Sequence, residues 1–121
     1  MPKDDAVYLA HMRESAGKIV ARTNLKTRAE FDGSEDLQLV LAFLIQNLGE
    51  AAARVSAERC EQHPEIPWRQ IVGMRNRIVH DYLHIDADIV WEVATRNVPD
   101  LIVRLDEAIA GGQDERPGTA P

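Results

Sequence analysis

Apolar residues recur at spacings of three and four positions along most of the chain, and short polar stretches separate these periodic segments. This spacing places apolar side chains on one face of an α-helix. The first segment spans residues 3–22, and Asp4 and Asp5 favour its N-terminus through the helix dipole. A polar connection follows, in which Thr27 and Phe31 frame a short turn. The apolar positions of this first predicted helix are Leu9, Met12, Ala16, Ile19 and Val20.

A second and longer helix is predicted after the polar run 32–35, in which Asp32 and Glu35 have the spacing of a capping box. Gly49 lies inside this helix, where glycine costs about 1 kcal/mol relative to alanine. We therefore expect another helix to approach it closely. The apolar stripe of this helix consists of Leu37, Val40, Leu41, Leu44, Ile45, Leu48, Ala52 and Val55.

Leu39 and Phe43 lie on a different face of the second helix from this stripe. A helix that is apolar on two sides is normally buried on both. In a small protein, a second copy of the chain can cover the additional face, which predicts a homodimer. The alternative is that the first helix or the C-terminal segment covers Leu39 and Phe43.

Two prolines within residues 63–67 break the helical pattern, and Pro67 suits the first position of a third helix over residues 68–79. Asp86 is a candidate N-cap for a fourth helix. The apolar positions of that last helical region are Ile89, Val90, Val93, Leu101, Ile102, Leu105 and Ile109.

Pro99 interrupts or restarts the fourth helix, and the glycine pair at 111–112 ends it. The polar tail beyond is rich in proline and glycine, a composition typical of disorder. No segment shows the alternation typical of a strand. The sequence thus predicts an all-α domain over residues 1–110, an antiparallel bundle of four to five helices, followed by a disordered tail over residues 111–121.

The composition fits one small globular domain, with 121 residues of which 45% are hydrophobic and 28% charged. The single cysteine, Cys60, allows no internal disulfide, which favours a reducing cytoplasm, and it is predicted to pack within a helix. No apolar run reaches the roughly 20 residues of a transmembrane helix, and the N-terminus lacks a signal-peptide pattern. We therefore expect a cytoplasmic protein without a membrane partner.

The net charge of −6 argues against broad, non-specific binding to nucleic acid. The charge is nevertheless unevenly distributed, because residues 68–84 contain three arginines and two histidines against one acidic residue. Within that stretch Arg77 and Asp81 are four positions apart, a spacing that allows an ion pair. A local basic patch on an acidic body suits a small contact with a defined substrate.

The candidate chemistry lies in this basic stretch, at Arg75, Asn76, His80 and Tyr82. Arginine carries a permanent charge and a planar set of donors that matches phosphate, and histidine transfers protons near neutral pH. Together they suffice to cleave RNA without a metal. On an unbroken helix, Arg75 and His80 would point about 140° apart. Either the helix ends near His80, or the site combines residues from two subunits.

Each of these four residues also has a purely structural interpretation. Arg75 could pair with a neighbouring helix, Asn76 could cap locally, His80 could meet a helix dipole, and Tyr82 could pack in the core. His80 and His84 have the spacing of two metal ligands on a helix, but the glutamate of the zinc-protease motif and a third ligand are missing. We therefore predict no metal and no cofactor.

The run Arg75-Asn76-x-x-x-His80-x-Tyr82 resembles the signature of HEPN-domain ribonucleases, in which histidine follows arginine after four to six residues. A longer match makes the chain similar to the HepT toxins of HepT/MntA toxin–antitoxin pairs. It extends from about residue 32 to residue 105. The matching segments are residues 48–52, 64–68, 71–76, 80–82, 90–91 and 98–99.

The resemblance implies a helical bundle that dimerises and brings the two motifs close together across the interface. It also implies a metal-independent endoribonuclease, with tRNA among the substrate classes, in which Arg75, His80 and the polar residue Asn76 form the site. The partner implied is an MntA-like nucleotidyltransferase antitoxin that transfers AMP from ATP to the motif tyrosine, here Tyr82. Two alternatives stay open: a non-catalytic helical interaction module, and a chain that neutralises a toxic nucleotidyltransferase.

Overall fold

The computed structural model describes residues 2–81 and 84–114, with side chains for residues 4–74, 76–78 and 84–111. Helices account for most of the described chain, which confirms the predicted all-α bundle. The helices are α1 (Pro2–Thr23), α2 (Arg28–Asp32), α3 (Glu35–Arg54), α4 (Ala57–Gln62), α5 (Trp68–Ile78), α6 (Ala87–Glu92) and α7 (Val98–Asp114). Two short strands, β1 (Val79–Asp81) and β2 (His84–Ile85), follow α5, and a π-helical turn (Val93–Asn97) joins α6 to α7.

The four long helices pack as antiparallel neighbours. Helix α1 packs against α3 and α7, and α3 also packs against α5. The start of α1 lies at the end of α3, because the carboxylate of Asp5 accepts hydrogen bonds from the backbone N–H and the hydroxyl of Ser56, at 2.8 and 2.7 Å. An ion pair of 2.7 Å joins Arg13 to Asp106 at the middle of α7. The Asp5–Ser56 contact therefore sets α1 antiparallel to α3, and apolar burial holds the helices together.

Most of the apolar positions that the periodicity predicts are buried, and residues outside the predicted stripes, such as Phe31, Ile66 and Ile71, join them in the core. Burial of such side chains is the main favourable contribution to folding. Val40 is the exception in the predicted stripe of α3, since 38% of it is exposed. The largest fully buried side chains include Leu9, Met12, Ile19, Leu41, Ile45, Leu48, Ile66, Ile71, Ile78, Val90 and Leu105.

The first capping signal was assigned to the wrong residues. The hydroxyl of Ser34, not the carboxylate of Asp32, accepts a hydrogen bond of 3.1 Å from the backbone N–H of Leu37 and caps α3. The capping box lies one element earlier, where Thr27 and Glu30 bond each other's backbone at the start of α2. The short turn predicted there is thus a helical turn, and it buries Phe31.

Two predicted helix ends differ from the structure. Helix α3 ends at Arg54, because the hydroxyl of Ser56 caps a separate short helix, α4, by accepting from the N–H of Arg59 at 3.1 Å. Helix α7 continues past the glycine pair at 111–112 to Asp114. The predicted disordered tail from residue 115 onward lies outside the described residues. The strands β1 and β2 were not predicted at all.

Pro99 interrupts the last helical region as predicted, and a π-helical turn accommodates it. Proline lacks a backbone N–H, and its ring crowds the carbonyl four positions earlier. The backbone widens before it, so that the N–H of Val98 bonds the carbonyl of Val93, five positions back. The chain then continues as α7. The predicted cap of α6 is also confirmed, because the Asp86 carboxylate accepts from the N–H of Ile89 at 3.1 Å.

Helix α5 approaches α3 closely at Gly49, as the sequence predicts. A Cβ atom built on Gly49 would lie 3.0 Å from the carbonyl oxygen of Ile71, and 3.8 Å from that of Val72. Backbone atoms cannot move aside as a flexible side chain can. The small residue therefore sets the distance between α3 and the helix that carries the candidate motif.

We expect Gly49→Ala to destabilise the protein. Overpacking costs about 1–3 kcal/mol, while the gain in helix propensity is about 1 kcal/mol, so the net loss is up to about 2 kcal/mol. The matched control is Gly17→Ala in α1, where the new Cβ meets only the end of the Arg13 side chain, at 3.0 Å. Urea unfolding should show the control equal to or more stable than wild type. A Gly49→Ala variant as stable as Gly17→Ala would contradict the close approach.

Candidate ribonuclease site

The structure places the motif at the junction of α5 and β1. Arg75 and Asn76 lie in the last turn of α5, the helix ends at Ile78, and His80 is the central residue of β1. Arg75 and His80 therefore do not share one unbroken helix, and the angle of about 140° between them on such a helix does not apply. The side chains of Arg75 and His80, and all of Tyr82, lie outside the described residues, so the roles of these three side chains stay predictions.

A small hairpin fixes the backbone around His80. Strands β1 and β2 are antiparallel and pair Val79 with Ile85, with an irregular register between Val79 and Asp81. At the base of the hairpin, the N–H of Asp86 donates to the carbonyl oxygen of Ile78 at 2.6 Å. The backbone of His80 is thus held within a few residues of both the end of α5 and the start of α6.

Helix α5 is itself anchored along its length. Ile71, Met74 and Ile78 are buried on its inner face. At its start, the indole N–H of Trp68 donates to the backbone carbonyls of Cys60 and His63, at 3.1 and 3.0 Å. Trp68 therefore packs and fixes the helix start, an arrangement that suits an aromatic side chain with one polar N–H. Arg75 and Asn76 therefore lie on a helix that is held both at its start and along its inner face.

The outward face of α5 is polar and open. Arg69, Asn76 and Arg77 are exposed, and a Cβ atom built on Gly73 would meet no atom within 4 Å. Asn76 makes no hydrogen bond to the part of the chain that the structure describes. Arg69 and Arg77 are two of the three arginines in the basic stretch that the sequence predicts.

Two grooves flank α3 and α5. The larger, about 460 Å³, lies between α1 and α3, and residues of both charge signs line it, including Glu14, Lys18 and Arg54. The smaller, about 220 Å³, lies between α5 and α7. Its floor is mostly apolar, and Gln70 and Asn97 contribute amide groups to it. Gln70 and Asn97 were not among the predicted site residues.

Cys60 does not have the environment of a nucleophile. Burial raises the pKa of its thiol, and the carboxylates of Asp5 and Glu61 raise it further. Less thiolate is therefore present at neutral pH than for an exposed cysteine. Among the described residues, no group of three histidine, cysteine or acidic side chains is placed to hold a metal ion. None of the described helices is both long and apolar enough to cross a membrane.

The fold and the motif define the class of protein: a HEPN-type helical bundle with arginine in the last turn of a helix and histidine just beyond its end. The family model described as "Ribonuclease HepT-like" matches residues 12–108. The chain belongs to this HepT-like ribonuclease family.

Relatives from archaea carry ribonuclease names. The chain is 28% identical over 118 residues to a Methanocaldococcus jannaschii protein named "Putative RNase MJ0127", covering 95% of this chain and 98% of the relative. It is 26% identical over 101 residues to "Probable ribonuclease HepT" of Thermococcus cleftensis, covering 84% of this chain and 92% of the relative.

A third relative is larger. The chain is 34% identical over 101 residues to the M. jannaschii protein named "Gamma-glutamylcyclotransferase and putative RNase MJ0434", a match that covers 84% of this chain but 46% of that protein. The similarity therefore concerns about half of that relative. No solved structure matches the chain.

Proposed function

We propose that this protein is a metal-independent endoribonuclease whose site consists of Arg75, Asn76 and His80. Membership of the HepT-like ribonuclease family carries the proposal. The position of the motif supports it, since α5 ends at Ile78 and releases His80 onto β1, beside the helix turn that holds the arginine.

In the proposed reaction, His80 takes the proton of a ribose 2′-hydroxyl, whose oxygen attacks the adjacent phosphorus. The bond from phosphorus to the 5′-oxygen breaks, and an acid protonates that oxygen as it leaves. Positioned proton transfer contributes about 10²–10⁴-fold. Arg75 binds the phosphate and stabilises the charge that develops in the transition state. Asn76 orients His80 or bonds the substrate.

The ends of the RNA fragments test this chemistry. Attack by the 2′-hydroxyl leaves a 2′,3′-cyclic phosphate and a 5′-hydroxyl, so polynucleotide kinase should label the new 5′ ends without prior phosphatase treatment. Fragments that carry 5′-phosphates would show that water, and not the 2′-hydroxyl, attacks, and the proposed role of His80 would then be wrong.

A homodimer is part of the proposal. Leu39, Val40 and Phe43 form an apolar patch on α3 in which they are 50%, 38% and 61% exposed. Neither α1 nor the described part of the C-terminal segment covers this patch. The alternative, in which one of these segments covers Leu39 and Phe43, is therefore wrong for the described residues. The neighbouring groove carries both charge signs, with Lys18 and Glu14 in its lining. A surface with both signs suits contact with the same surface of a second copy about a two-fold axis.

We expect Phe43→Glu to convert the dimer to a monomer, because the change places a charge in an apolar interface. Val103→Glu is the matched control, since Val103 is a similarly exposed apolar residue (57%) on α7, away from the patch. Light scattering after size-exclusion chromatography measures the mass. A Phe43→Glu protein that stays dimeric would contradict this interface, and a wild type that is monomeric at all concentrations would contradict the dimer.

The proposal extends to a partner. Tyr82 would accept AMP from a nucleotidyltransferase antitoxin, and RNA, with tRNA as the first candidate, would be the substrate of the free toxin. Tyr82 is two residues from His80 in the chain. A modification there adds bulk and a negative phosphodiester charge close to where a substrate phosphate must bind.

A further inference from the structure

We infer that the outward face of α5, formed by Arg69, Gly73, Asn76 and Arg77, binds the sugar–phosphate backbone of the RNA strand next to the cleaved bond. This inference rests on the proposed ribonuclease function and extends it from the cleavage point to the path of the strand. Asn76 joins this face to the motif, because it directly follows Arg75 in the chain.

The helix geometry arranges these residues as a row. Arg69, Gly73 and Arg77 are spaced four positions apart, so each is offset by about 40° from the one before and the row turns toward the α5–α7 groove, which Arg77 lines. The row is about 12 Å long at 1.5 Å per residue. A strand that crosses Gly73 can therefore meet an arginine on each side.

The two arginines differ from the other described arginines because no described residue partners them. Neither Arg69 nor Arg77 makes an ion pair, hydrogen bond or ring contact with any residue in the described ranges. Asp81, which could pair with Arg77 by its spacing, has its side chain outside them. By contrast, ion pairs hold Arg13, Arg28, Arg96 and Arg104. Contacts with backbone carbonyls or a tyrosine ring hold Arg22, Arg54 and Arg59.

This difference is informative in a chain with a net charge of −6, in which acidic partners are plentiful. Helix α5 contains no acidic residue of its own. Unpaired, exposed arginines are available to neutralise phosphates, which is the main source of affinity for nucleic acid. The rest of the chain carries a net negative charge, which favours the approach of an RNA strand toward this face.

Gly73 provides the second observation. Glycine inside a helix costs about 1 kcal/mol relative to alanine. Gly49 has a reason within the fold, because it lies against the backbone of α5, whereas a Cβ on Gly73 would face open space. The missing side chain leaves room for a backbone to approach the helix closely between the two arginines.

The test measures binding and cleavage separately. In a non-cleaving His80→Ala background, the double variant Arg69→Gln/Arg77→Gln should bind fluorescent single-stranded RNA about 10-fold more weakly or worse, and the slope of log K against log[salt] should fall by about 0.7 per arginine. Arg96→Gln is the matched control, since Arg96 is exposed but paired with Glu92. It should bind RNA like the background protein.

Gly73 allows a test of charge at constant size. Gly73→Glu should weaken RNA binding clearly more than the isosteric Gly73→Gln, because only the acid repels phosphate. Both side chains enter open space, so both variants should fold. Equal effects of Glu and Gln would contradict a phosphate contact at this position.

Cleavage assays distinguish failure of this inference from failure of the nuclease. With His80 intact, the arginine variants should lose more activity on a long RNA than on a dinucleotide, which spans only the cleaved bond. If these variants bind and cleave RNA like wild type, the inference is wrong although the nuclease proposal stands. Loss of binding to an acidic protein would not rescue the inference, because the proposed ligand of this face is RNA. If the proposed function itself fails, wild type will cleave neither substrate.

Discussion

Replacing His80 with alanine is expected to slow RNA cleavage by about 10²–10⁴-fold, the usual contribution of a positioned proton-transfer group. The substitution should leave the fold intact, because backbone pairing holds β1 to β2 and the buried face of α5 ends at Ile78. Single-turnover cleavage of RNA gives the rate, and thermal unfolding confirms the fold.

His84→Ala is the matched control for this experiment. His84 lies on β2, directly opposite the β1 strand, and is exposed. It should cleave RNA at nearly the wild-type rate, because the proposed proton transfer uses only His80. If His84→Ala were inactive and His80→Ala active, our assignment of the proton transfer to His80 would be wrong.

Replacing Tyr82 with phenylalanine is expected to abolish neutralisation by the nucleotidyltransferase while cleavage continues. The phenol oxygen is the acceptor of AMP in the proposed modification, and phenylalanine keeps the ring but has no such atom. The measurement incubates the protein with the partner and ATP, records the mass of the intact chain, and then assays RNA cleavage. Wild type should gain AMP and lose activity, and Tyr82→Phe should do neither.

The chain offers one matched control for this substitution, since it has two tyrosines. Tyr8 is half-buried in α1, against His11 and beneath the guanidinium of Arg54. Tyr8→Phe should be modified and neutralised like wild type. Neutralisation of Tyr82→Phe would place the modified atom elsewhere, and loss of cleavage by Tyr82→Phe would give the tyrosine a role in the reaction itself.

Local patterns in the sequence predict most of the bundle. The apolar periodicity identifies the buried positions, because burial against neighbouring elements repeats with the helix turn. Asp86 as a cap and Pro99 as an interruption were also predictable, since each acts through its own backbone or side chain. Gly49 was predictable for a different reason, namely that glycine is costly within a helix unless another element lies against it.

Other features depend on competition between neighbouring signals. Asp32 and Ser34 are both good cap residues, and only the structure shows that Ser34 caps α3. The two strands contain only three and two residues, too short for a recognisable alternation. The end of α5 at Ile78 depends on this hairpin, so the sequence left open whether the helix continued to His80.

Part of the candidate site can likewise be predicted from the sequence, and part cannot. The sequence identifies Arg75, Asn76, His80 and Tyr82 because their residue types and spacing resemble a known motif. It does not show that Arg69 and Arg77 lack partners among the described residues while other surface arginines have them. That difference depends on residues far away in the chain, such as Asp106 opposite Arg13. Nor does it bring Gln70 and Asn97 to one groove.

The most direct test of the central claim is RNA cleavage in a chelator. Purified protein, shown by mass spectrometry to carry no AMP, is incubated with total tRNA in EDTA beside Arg75→Ala and His80→Ala. Our account predicts fragments with wild type and largely intact RNA with both variants. Intact RNA with the unmodified wild type, or cleavage that appears only after a divalent metal is added, would contradict it.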